Sequence, residues 1–153
     1  MRLFLGIVLL FFCLFVGYCV SGKYYFRRLF YTDFLNFNTV FGHEIAFKQT
    51  TIIDILKNQT QKSDFFVLLN DFVLKQKKEF DCTYLTNQEK SFVYEYLEKL
   101  GRFDKETQLE YIRGVNEIIV EKHQNSILDE KKYKTLYIKL SFLIGLILLI
   151  IVL

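Results

Sequence analysis

Two charge-free apolar runs occupy the ends of the chain, and between them apolar positions recur at helical spacing. Residues 3–20, LFLGIVLLFFCLFVGYCV, carry no charge. As a helix, a run of that length rises roughly 27 Å, close to the hydrocarbon thickness of a bilayer. The run 140–153 is shorter. It reaches spanning length once Leu136, Tyr137 and Ile138 join it and Lys139 snorkels its ammonium to the headgroups. The pattern therefore predicts a transmembrane helix over 1–21, a helical domain over 22–135 and a second transmembrane helix over 136–153. An anchor of this kind has nothing to place beyond the membrane, so no outer tail is required.

In the middle segment, Leu29, Phe30, Phe34, Phe37, Phe41 and Ile45 form a stripe at spacings of one, three and four. This predicts a helix continuing from the first span to about Lys48. Thr51-Ile-Ile-Asp54 opens a short helix, and Ser63 can cap another with Phe66, Leu69 and Val73 on one face. Thr86-Asn-Gln-Glu89 is a capping box set before Phe92, Val93, Tyr96, Leu97 and Leu100. Gly101 is a natural stop. Asp104 then caps a long helix bearing Leu109, Ile112, Val115 and Ile119, with no breaker before the second span. The charged stretch around Phe80 could hide a short strand, but no partner strand is visible. The chain has no proline, so no helix is forcibly broken. The fold class is all-α: a helical bundle between N- and C-terminal spans.

Composition is 52% hydrophobic and 24% charged with a net charge of +3. That small, dispersed charge gives no nucleic-acid footprint. Cys13, Cys19 and Cys82 form no paired motif, so neither a zinc site nor a disulfide framework follows. No phosphate loop, nucleophile elbow or metalloprotease motif is present. His43 and His123 stand singly on helices. No catalytic, cofactor or metal residue is assigned. A membrane-bound hydrolase would require a clustered acid–base set such as a pocket of His43, Glu44 and Asp104.

The first run has a second reading, as a cleaved signal peptide, since Arg2 gives a basic start and Cys19-Val20-Ser21 is a loose small-x-small site. Its length and the lack of a lipobox favour a retained anchor. Lys23, Arg27 and Arg28 follow the first span, and Lys131, Lys132, Lys134 and Lys139 precede or enter the second. Both counts predict a cytoplasmic middle domain with outward termini. Within the spans, Gly17-Tyr-Cys-Val-Ser21 and Ser141-Phe-Leu-Ile-Gly145 are small-xxx-small steps that let helices approach closely in lipid, within or between chains.

Three stretches carry a resemblance over nearly the whole chain. They are Gly17-x3-Ser21-x5-Arg27; Glu44-Ile45-x-Phe47 with Thr50, Ile52, Asp54 and Leu56; and Leu100-Gly101-x-x-Asp104-x3-Gln108. With Tyr137-x3-Ser141-x3-Gly145 they resemble the stage III sporulation protein AB family of endospore-forming bacteria. Thr51, Phe103 and Ser141 depart from that pattern, which has proline, serine and glycine there. The resemblance implies a role in the complex linking mother cell and forespore. It also implies a soluble domain like the helical cytoplasmic domain of the type II secretion platform protein. The subunit would sit in the mother-cell membrane and join a cytoplasmic secretion-type ATPase to channel subunits, with self-association possible. Arg27, Glu44, Ile45, Gly101, Asp104 and Gln108 are then the partner-binding or structural motif residues. A platform component of another secretion or pilus system stays open as an alternative.

Overall fold

The computed structural model describes residues 2–47, 63–75 and 82–152. The expected short helix at Thr51, most of the second motif's tail and the stretch around Phe80 lie outside them. Among the described residues there are four helices and no strand: α1 (Arg2–Phe47), α2 (Asp64–Lys75), α3 (Asn87–Lys99) and α4 (Lys105–Val152). Contacts divide the chain into two units, one of residues 1–28 with 125–153 and the other of residues 29–124. α1 and α4 each contribute to both.

The 29–124 unit is a bundle with an aromatic core. The stripe predicted on α1 is its spine: Phe30, Phe34, Phe37 and Phe41 are all buried. They meet α2 through Phe65, which stacks on Phe34 at 4.9 Å between ring centroids and makes an edge contact with Phe30 at 5.5 Å. Phe34 also meets Tyr96 of α3 edge-on at 4.8 Å. Such offset and edge geometries suit the ring quadrupole and add to the burial of large apolar surface. Ile112, Val115 and Ile119 of α4 close the core.

Local signals set the helix starts. The Thr86 hydroxyl accepts from the Glu89 N–H at 3.3 Å, and the Glu89 carboxylate accepts from the Thr86 N–H at 2.9 Å, a complete capping box. The expected Ser63 cap is not made: its buried hydroxyl has no hydrogen-bond partner among the described residues, while its carbonyl accepts from Val67 N–H. The start of α2 is tied instead by Tyr84, whose hydroxyl donates to the Asp64 carboxylate at 2.7 Å. Burial, with the Cys82 and Asp64 hydrogen bonds behind it, holds the Tyr84 hydroxyl protonated far above its ordinary range.

The other unit is an antiparallel helical hairpin made by the first half of α1 and the second half of α4. Its surroundings-facing side chains are apolar, with Phe4 75%, Phe11 65%, Phe15 65%, Ile150 70% and Ile151 73% exposed. Both helices contain windows of mean hydropathy 2.5 that are long enough to cross a bilayer.

Candidate functional site: the hairpin seam and the glycine corner

Small residues form the seam of the hairpin. A β-carbon built on Gly17 would stand 2.6 Å from Ser141 Cβ, against its hydroxyl, and 3.2 Å from the Tyr137 carbonyl. One built on Gly145 would stand 3.3 Å from the Leu10 backbone and 3.5 Å from Cys13. Gly6 faces Leu149 in the same way. Ser21 is buried and returns its hydroxyl to the Tyr18 carbonyl at 2.8 Å, so its polar group is satisfied on its own helix. The structure thus brings Gly17 and Ser141 together within one chain and sets Gly145 against a different turn of α1.

Along this seam, away from the Gly6–Leu149 end, the chemistry turns aromatic and then charged. Tyr24 stacks on Tyr133 at 4.6 Å and on Tyr137 at 6.1 Å between ring centroids. One turn further, Arg27 donates to Asp129 at 2.6 Å and Arg28 to Glu130. Aromatic rings followed by charges mark the depth at which hydrocarbon gives way to headgroups. Arg27 is therefore an ion-pair partner within the hairpin.

In the bundle, Gly101 follows the last turn of α3 with φ 72°, a left-handed backbone that a β-carbon would strain. The Gly101 N–H donates to Gln108 Oε1 at 3.0 Å. Gln108 is buried, and its Nε2 has no partner among the described residues. Asp104 accepts the Thr107 N–H at 3.2 Å and the Thr107 hydroxyl at 2.6 Å, and so caps α4. These two bonds, the hydroxyl first, hold the Asp104 carboxyl below its ordinary range. Gly101, Asp104 and Gln108 are one corner, each satisfying a backbone or side-chain group of another or of the next helical turn.

Lys105 donates to the Ala46 carbonyl at 2.9 Å, bringing the end of α1 beside this corner. Half-buried Glu44 and Ile45 lie within one turn of Ala46, so the second and third sequence motifs share one end of the bundle. A groove of about 520 Å³ opens there, lined by Gly42, His43 and Phe47 of α1 and by Ile112, Arg113 and Glu117 of α4, among others. Neither Glu44 nor Asp104 lines it, so the acid–base pocket that a hydrolase would need is not assembled there. No cluster of metal-ligating side chains occurs among the described residues.

Sequence reasoning missed the buried polar network beside this groove. Tyr96 donates to Asn38 Oδ1 at 2.8 Å, and Asn38 Nδ2 donates to the Ile112 carbonyl at 3.3 Å and to Asn116 Oδ1 at 3.1 Å. A second such bond joins the Tyr31 hydroxyl to the Glu89 carboxylate at 2.9 Å. The available signal was Asn38 itself, one amide on the face of an otherwise aromatic stripe.

Two candidate transmembrane helices with a helical bundle between them in sequence, and a tyrosine and ion-pair collar on their seam, fit the class of helical membrane proteins. Its sequence matches the family model described as stage III sporulation protein AB over residues 2–153, and the chain belongs to that family. Comparison with curated proteins and with solved structures returns no match.

Proposed function

We propose that the protein is a non-enzymatic scaffold subunit of the stage III sporulation complex. Its bundle faces the mother-cell cytoplasm and joins a secretion-type ATPase to channel subunits in the membrane. The observation that carries this reading is the continuity of α1 and α4, each a single helix from apolar span to bundle. Such an arrangement suits a part that holds partners at a membrane surface. The lysines and arginines on the bundle side of both spans support the cytoplasmic orientation. The shared bundle end, with its groove and exposed Phe47 and Phe103, offers a face for the ATPase. Membership of the family supports the sporulation setting, and a likeness to the type II secretion platform domain belongs to the same proposal.

The test is affinity purification of the full chain from detergent-solubilised membranes of sporulating cells, with partners identified by mass spectrometry. Recovery of the ATPase and of other complex subunits is expected, and loss of the ATPase alone is expected for Phe47→Asp. Recovery of another secretion or pilus apparatus would favour the alternative platform role. For orientation, Glu98→Cys in a chain whose own cysteines are replaced should resist an impermeant thiol reagent applied to intact cells. Labelling from outside would invert the topology.

A further inference from the structure

We propose that the collar of the hairpin binds the phosphate-bearing headgroup of an anionic phospholipid. A cavity of about 530 Å³ lies on the hairpin's side, lined by Arg28, Ile127, Glu130, Lys131, Lys134 and Thr135. Three of those six residues are cationic. Glu130 is occupied by Arg28. Lys131 and Lys134 make no ion pair among the described residues and are exposed, so their ammonium groups remain available to an anion. Thr135 donates its hydroxyl to the Lys131 carbonyl at 2.9 Å, and Ile127 adds an apolar side chain to the cavity's lining residues. A wall that is part cationic and part apolar matches a phosphodiester with its glycerol and upper acyl carbons.

The depth agrees with that ligand. Lys131 precedes Leu136, the start of the second apolar run, by five residues, or roughly 7.5 Å of helix. The polar layer on each face of a bilayer has about that thickness. Tyr24, stacked on Tyr133 and on Tyr137, marks the same boundary independently. Free inorganic phosphate shares the charge but lacks the glycerol and acyl carbons, so the cavity's apolar side distinguishes the two.

The full chain in detergent, titrated with phosphatidylglycerol or cardiolipin and followed by native mass spectrometry, should retain anionic lipid in preference to phosphatidylcholine. Each basic side chain near an anionic surface strengthens binding about fivefold. The pair Lys131→Gln and Lys134→Gln together should therefore weaken retention about 25-fold. Lys131→Arg with Lys134→Arg, which keeps both charges, should retain it, and helicity by circular dichroism checks that each variant is folded. Removing two charges in the bundle, by Lys90→Gln with Lys99→Gln, should leave retention unchanged. Equal retention of phosphatidylcholine overturns the proposal, as does equal loss in the bundle control. Competition by millimolar inorganic phosphate that abolishes lipid retention would overturn the lipid assignment in favour of a free-phosphate site.

Discussion

Gly101 is the residue on which the corner turns. Its φ of 72° lies where a β-carbon crowds the neighbouring carbonyl, at a cost of about 1–2 kcal/mol. Gly101→Ala should therefore lower unfolding stability by about that amount, and Gly101→Asn by less, since asparagine tolerates this backbone. Denaturant titration of the detergent-solubilised chain, followed by circular dichroism, measures both. Asp104 gives a pH-dependent counterpart. Its folded carboxyl titrates below the unfolded value near 3.9. The stabilisation is therefore present above the unfolded value and lost as pH falls through the folded one. Parent and Asp104→Asn should differ in melting midpoint at pH 7, and the difference should fade only as pH drops below about 3.9 and on through the lower folded value, where both present a neutral cap. A gap that shows no decline as pH falls below about 3.9 would remove the charged cap as its source.

The hairpin seam allows a sharper test of two elements together. Gly17→Ala drives a methyl into Ser141, a form of overpacking that costs about 1–3 kcal/mol. Ser141→Gly placed on Gly17→Ala should restore part of that loss, though the Tyr137 carbonyl still crowds the site. Resistance of the hairpin to unfolding in dodecyl sulfate measures it, and a single change as costly as the pair would refute direct contact. A double-mutant cycle on Arg27 and Asp129 should give a coupling of about 0.5–1 kcal/mol, the range of part-exposed ion pairs. The elements themselves were legible because their signals are local. The capping box at Thr86, the stop at Gly101 and the stripe from Phe30 to Phe41 each need only a few neighbours in sequence. The Arg27–Asp129 pair joins residues 102 positions apart, and its register is fixed by the seam, which spacing does not contain. Phe65 escaped for a related reason. It adjoins Phe66, and periodicity alone could not decide which ring enters the core; the structure buries both. Ser63 had the residue type of a cap, but its hydroxyl is buried where no backbone amide of the described residues meets it.

For the molecule as a whole, insertion and bundle folding draw on different residues. Phe34→Ala removes a fully buried ring that touches Phe30, Phe65, Phe92 and Tyr96. It should cost about 3–5 kcal/mol of bundle stability. The protein should nevertheless stay in the membrane fraction, because the apolar lengths of the spans are unchanged; its presence in the soluble fraction would show that bundle and anchor are one cooperative unit. The bond between Thr32 and His123, 3.0 Å long and linking positions 91 apart, carries a kinetic consequence. Closing a free loop of that size costs about 4 kcal/mol of chain entropy. Once the bundle has formed, the chain segments leading into the two spans already start side by side, so the search that joins Gly17 to Ser141 begins as a short-range event. Hairpin closure should then follow bundle formation with little added delay, and a variant that slows the first step should slow the second by the same factor.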